Sequence, residues 1–197
     1  MCRLIIFISF IFISNNTVAQ HFTEFQTLIH RDKDAAKNTG DMRVLVYLSK
    51  SLGDDLGLWT SALLVHKPIN TNTFGQGVIG INTTIIKNTE LGLGFGFESI
   101  NEKGDVPWRA SAYVYGSIEK WSWYFNPEYG TSQYWHIGFI SYKVIPEKIS
   151  IELFSQMYAL HGIGVNINPF KDLSIKVRIG LNEEKNINAL LSSRMYF

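Results

Sequence analysis

The segment Leu173-Ser174-Ile175-Lys176-Val177-Arg178-Ile179-Gly180-Leu181 has an aliphatic residue at every odd position and Lys or Arg among the even ones. Side chains alternate between the two faces of a strand. This stretch therefore presents one face to an apolar phase and the other to a polar one. Ile149-Ser150-Ile151-Glu152-Leu153 and Leu91-Gly92-Leu93-Gly94-Phe95-Gly96-Phe97-Glu98 repeat the pattern. Further candidates are 42–50, 56–66, 76–86, 106–116, 119–128, 133–144, 161–168 and 187–197, with a weaker one at 21–30. No segment carries a helical period, so the chain reads as all-β.

Soluble sandwiches and lipocalin-like barrels alternate too. Three features point instead to a single antiparallel transmembrane β-barrel. The apolar set recurs on every strand, not only on those able to face a second sheet. Aromatic residues make up 14% of the chain and gather near strand ends, as in Trp121, Trp123, Tyr124 and Phe125, then Tyr129, Tyr134 and Trp135. Rings that are half apolar and half polar suit a membrane interface. Finally, Ile187, Ala189, Leu191, Met195 and Phe197 share one face, interrupted by Ser193. This run resembles the C-terminal signature of bacterial outer-membrane β-barrels, with Phe197 as the expected membrane-assembly signal. Counting 21–30 gives twelve strands; ten is the alternative.

The beginning of the chain fits export. Arg3 is followed by the apolar run Leu4–Ile13, and Asn15-Asn16-Thr17-Val18-Ala19 offers small residues for cleavage after Ala19. The run is shorter than the roughly 18–20 residues a membrane-spanning helix needs, which favours a signal peptide over an anchor. Two parts are therefore expected: a signal peptide at 1–19 and a barrel at 20–197. Cleavage removes Cys2, the only cysteine, and with it disulfide and thiolate chemistry. It also removes Arg3, so the 18 basic residues fall level with the 17 acidic ones. That balance, without a basic block, argues against nucleic acid as a partner. The expected partners are outer-membrane lipid, the barrel-assembly machinery and an unidentified protein or small molecule. The expected location is the outer membrane of a Gram-negative cell, and the Ala-Gln region resembles cleavage sites of exported Bacteroidota proteins.

A periplasmic C-terminus puts turns near 169–172, 145–148, 116–118, 87–89 and 51–55 on the periplasmic side. The outer side then receives 183–186, 158–160, 129–132, 100–105, 67–75 and 31–41. Two registers follow from keeping apolar rows together. Ile179 should face Ala189, with Val177 facing Leu191. Phe97 should face Ala110, with Phe95 facing Ala112, which sets Glu98 against Arg109, Gly94 against Tyr113 and Gly92 against Tyr115. The predicted lumenal polar set is Arg43, His66, Glu98, Arg109, Tyr113, Tyr115, His136, Glu152, Asn166, Lys176, Arg178 and Arg194. Charges of both signs fill a narrow lumen by pairing, and the same set is a candidate ligand site.

No hydrolase elbow, phosphate loop or zinc-helix motif is present. The five histidines, 21, 30, 66, 136 and 161, show no metal-ligand spacing, so no cofactor, metal or catalytic residue is assigned. Asp54 and Asp55 read as solvated turn carboxylates. Gly94-Phe95-Gly96, Asn101-Glu102-Lys103-Gly104 and the stretch from Tyr113 to Trp121 resemble part of the outer-membrane lipid A palmitoyltransferase family. That likeness implies an Asp-Ser pair and a histidine. Here Gly116-Ser117 lacks the aspartate, and His66 stands in for the histidine. The expectation is a non-enzymatic structural or binding barrel, with a lipid A-modifying enzyme or a narrow channel as alternatives. If it is structural, His66 and Ser117 should lie at opposite rims.

Overall fold

A computed structural model describes residues 21–30, 39–53, 55–67, 72–99 and 107–197. The expected signal peptide, Asp54 and the 101–104 part of the resemblance lie outside these residues. Twelve strands form: β1 (Phe22–His30), β2 (Thr39–Ser51), β3 (Leu56–Lys67), β4 (Asn72–Ile86), β5 (Thr89–Glu98) and β6 (Trp108–Ile118), then β7 (Trp121–Gly130), β8 (Gln133–Ile145), β9 (Ile149–Gln156), β10 (Leu160–Phe170), β11 (Leu173–Leu181) and β12 (Ile187–Tyr196). Each pairs antiparallel with its neighbours in sequence, and β1 pairs with β12 to close the barrel. No described helix is long and apolar enough to cross a membrane, and a barrel crosses with its strands.

The period-two pattern becomes a wall with two faces. Ile79, Ile81, Leu93, Phe95, Ile151, Leu153, Ile163, Val177, Ile179 and Leu191 are all exposed on the outside. Their row neighbours Glu24, Glu98, Arg109, Glu152, Lys176 and Arg178 are buried inside. This inverts a soluble protein, because the outer phase is hydrocarbon and the inner one is polar. Outward aromatics cap the apolar belt: Trp108 stacks on Phe95 at 6.1 Å, and Tyr129 lies 6.1 Å from Trp108.

Ile179 faces Ala189 and Val177 faces Leu191, as the apolar rows require. The β5–β6 register differs from expectation by two residues. Phe95 faces Ala110, Phe97 faces Trp108, Gly92 faces Tyr113, and Arg109 faces Gly96. A two-residue shift leaves every side chain on its face, so apolar matching cannot detect it. Packing selects it: a Cβ on Gly92 would fall 2.1 Å from the Tyr113 ring, and one on Gly94 would fall 2.6 Å from Trp59. Each aromatic thus lies against its own bare stretch of backbone. Ser117 belongs to β6 and not to a turn; the reversal comes at Glu119 and Lys120, with Glu119 at φ 50°. Phe197 follows β12, exposed, and its N–H donates to the His21 carbonyl at 3.1 Å.

Candidate functional site

Inside the barrel, one wall is charged. Glu24 on β1 accepts from Arg194 of β12 (Nε, 2.6 Å) and from Lys176 of β11 (Nζ, 3.2 Å). Arg178 lies 4.0 Å from Glu24, pairs with Glu152 of β9, and lays its guanidinium 3.8 Å over the Phe154 ring. Three cations thus share two carboxylates, all buried except Arg194, whose side chain is 18% exposed. Removing water from isolated ions costs several kcal/mol each, so such a cluster persists only when every charge is answered.

The facing wall is aromatic. Phe22, Tyr47, Trp59, Tyr113, Tyr124 and Phe139 form a continuous arc with successive ring centroids 5.2–6.4 Å apart. The polar tips of Tyr47, Trp59 and Tyr113 are paired. Tyr113 Oη accepts from Asn82 at 2.9 Å, sits 3.3 Å from Tyr47 Oη, and bonds Glu90; Trp59 Nε1 donates to the Ile81 carbonyl at 3.1 Å. Near the outer rim Arg109 reaches Glu98 at 2.6 Å and Glu128 at 3.2 Å, and Glu98 also accepts the Ser132 backbone N–H. Glu98 and Arg109 meet diagonally, not as direct strand partners.

Two cavities occupy the space between these walls. The outer one, about 550 Å³, is lined by Asp41, Arg43, Lys67, Gln76, Trp135 and Tyr158 among others. The inner one, about 350 Å³, is lined by Glu24, Tyr47, Trp59, Tyr115, Tyr124 and Arg194 among others. Leu63, Gln76 and Trp135 border both, forming a waist. Arg43 reaches Asp41 at 3.3 Å, but its buried Nε has no partner among the described residues.

Arg43, Glu98, Arg109, Tyr113, Tyr115, Glu152, Asn166, Lys176, Arg178 and Arg194 all lie on inward rows. Two predicted lumenal residues do not. His66 is exposed on the outer wall, bonded to Thr73 at 3.2 Å, because the inward row of β3 is Trp59, Ser61, Leu63 and Val65. His136 also points outward, because Trp135, Ile137 and Phe139 fill the inner face of β8. Both sit close to the outer rim, where the outward phase is head-group rather than hydrocarbon, so a polar ring is tolerated. His66 and Ser117 are each the penultimate residue of their strand. β3 and β6 run in opposite directions, so the two lie at opposite rims, and among the described residues they share no hydrogen-bond partner.

Sequence reasoning missed an outward polar string. His136 Nε2 lies 2.8 Å from Ser155 Oγ, Ser155 Oγ lies 2.8 Å from His161 Nδ1, and His161 Nε2 lies 3.6 Å from Glu183. Glu183 also accepts the Tyr158 backbone N–H at 2.7 Å. Burial alone would raise the Glu183 carboxyl, but the Tyr158 N–H and His161 outweigh it and hold the group below the ordinary carboxylate range. The detectable signal was parity: Ser155 ends the outward row Ile149-Ile151-Leu153, and His161 begins the outward row of Ile163 and Val165. Among the described residues no group of His, Cys, Asp and Glu is arranged to hold a metal ion.

No protein-family model matches the chain, and no curated protein matches it. Among solved structures it is similar to the KdgM porin, with TM-score 0.62 and 14% identity over 89% of this chain and 99% of that one. The KdgM porin in complex with disordered oligogalacturonate gives TM-score 0.64 at the same identity and coverage. The outer membrane phospholipase A of Escherichia coli gives TM-score 0.57 and 10% identity over 89% of this chain and 95% of that one. At such identities the likeness is one of fold. That fold is the outer-membrane β-barrel.

Proposed function

We propose that this outer-membrane barrel binds a small acidic solute in its outer vestibule and passes it through a narrow lumen. The observation that carries the reading is the pair of cavities meeting at Leu63, Gln76 and Trp135. A barrel filled from wall to wall would leave no such path. Arg43 sets the sign of the solute: a buried guanidinium with an unanswered N–H is a donor for a carboxylate. The aromatic arc beyond the waist offers apolar ring faces to a sugar-like body. The similar porin solved with oligogalacturonate supports an acidic saccharide as the class to try first. Export with cleavage after Ala19, and insertion by the barrel-assembly machinery reading 187–197, complete the proposal.

The test is single-channel recording of the refolded protein in a planar bilayer. A small steady conductance is expected, reversibly blocked by digalacturonate. Losing one charge-assisted hydrogen bond in Arg43→Gln should weaken the block by about 10-fold or more. Trp135→Ala should raise the conductance by opening the waist. A bilayer no leakier than the bare membrane would reject passage. A block indifferent to Arg43→Gln would reject the site.

A further inference from the structure

The string on the outer wall has a built-in direction. Glu183 is held by the Tyr158 N–H and faces His161 Nε2, which places the ring proton there and leaves Nδ1 as an acceptor. Nδ1 then receives the Ser155 hydroxyl proton across 2.8 Å. On the other side His136 Nδ1 is buried without a partner among the described residues. A bare lone pair costs less there than an unanswered N–H, so the proton belongs on Nε2, 2.8 Å from Ser155 Oγ. His136 thus donates to Ser155 and Ser155 to His161, while the Glu183 carboxylate lies 3.6 Å from His161 Nε2, at ion-pair distance. A serine hydrogen-bonded to a base that is itself oriented by a carboxylate is the arrangement of an activated nucleophile.

The surroundings say what it would meet. Ser155 and His161 are direct strand partners at the outer ends of β9 and β10. Two residues towards the membrane centre the same rows carry Leu153 and Ile163, each 61% exposed. Tyr134 and Tyr158 flank the string on the rim side, both exposed. The hydroxyl therefore sits where acyl chains end and polar head groups begin, the level at which lipid ester carbonyls lie.

We propose that Ser155, His161 and Glu183 form a serine esterase centre on the outside of the barrel, acting on carboxylic esters of outer-leaflet lipids. Ser155 Oγ attacks the ester carbonyl carbon as its proton passes to His161 Nδ1. The Nε2–H of His136, 2.8 Å from Ser155 Oγ, is available to the carbonyl oxygen as that oxygen gains negative charge. Collapse of the adduct breaks the bond to the lipid alcohol, which leaves with the proton from His161. Water then attacks the acyl-serine, giving a proton to His161. The second collapse returns that proton to Ser155 Oγ and frees the fatty acid. This site is separate from the lumen and independent of the channel reading.

Refolded protein in mixed micelles is given phosphatidylethanolamine in one arm and lipopolysaccharide in the other, and released fatty acid is measured. A biotinylated fluorophosphonate tests the nucleophile directly, with the modified peptide located by mass spectrometry. Fatty acid release from one of the two lipids and labelling at Ser155 are expected. Ser155→Ala should abolish labelling and lower release by at least about 100-fold, and His161→Asn should do the same. Glu183→Gln should lower release by about 10-fold. Lys148→Gln, in the exposed turn between β8 and β9 at the far rim, should leave both readouts unchanged, and heat-modifiable migration reports that each variant is folded. Absence of release from both lipids together with an unlabelled Ser155 overturns the proposal, as does release that persists in folded Ser155→Ala.

Discussion

The barrel carries two polar clusters that differ in what surrounds them. Around Glu24, five charged side chains meet in the lumen and answer one another almost completely. Around Ser155, neutral and weakly held groups form a single file on the outside, ending on a Glu183 side chain that is 42% exposed. In the first cluster Glu24 alone answers Lys176, Arg178 and Arg194, so removing it leaves three buried or half-buried cations short of a partner. The second has two partners at most per group and faces the membrane rim. A polar residue becomes structural when its neighbours saturate it, and stays available for chemistry when they hold it only from the sides.

The largest effect should come from Glu24→Gln. It leaves Lys176, Arg178 and Arg194 with Glu152 as their remaining carboxylate, and breaking a buried pair in this way costs about 3–5 kcal/mol. Urea titration of the barrel in lipid vesicles measures it. A neutral result would dissolve the contrast, because the lumenal cluster would then be as loosely held as the outer string. Gly92→Ala comes next. The added methyl meets the Tyr113 ring, and such overpacking costs about 1–3 kcal/mol. The same titration, with tyrosine fluorescence as a second probe, should show lower stability and a displaced ring.

Ser155→Ala should change stability by less than about 1 kcal/mol, since its hydrogen bonds are made at a partly exposed surface. A larger loss would mark the string as a structural brace. The smallest effect is confined to one turn. The folded-state pKa of Glu183 is depressed, so its contribution is present above the ordinary carboxylate value of 4.5 and is lost as pH falls through the folded value. The hydrogen-exchange protection factor of the Tyr158 amide, corrected for the intrinsic pH dependence, should fall on acidification, while those of amides in β11 stay unchanged. Equal sensitivity in the two places would erase the difference between clusters.

The wall of this barrel was legible because hydrocarbon imposes one rule on every lipid-facing residue. Strand 173–181, with Lys176 and Arg178 opposite an unbroken aliphatic row, could be placed and paired from its letters. β1 was harder: Phe22 and Leu28 point inward while Thr23 and Thr27 point outward, so its alternation is blurred and Glu24 escaped notice. The rim was harder still. Near the head groups both faces tolerate polar rings, so parity alone misplaced His66 and His136. The β5–β6 register failed for a different reason, since a slip of two residues preserves both faces and only the fit of Tyr113 over Gly92 distinguishes the alternatives.

Glu24 stands on the first strand and its strongest partners stand on the last two, 152 and 170 residues away along the chain. Eleven of the twelve strand pairings join neighbours in sequence and can form as local hairpins; the pairing of β1 with β12 is the exception. Assembly therefore divides into a series of short-range steps and one long-range encounter, and loop closure of that length is the entropically demanding event. The growing sheet carries Lys176, Arg178 and Arg194 as an excess of positive charge along its trailing edge until the leading edge arrives with Glu24. Opposite charge near the two free edges gives the open sheet a reason to curl upon itself, and ties the seam with ion pairs from the first strand to the last two.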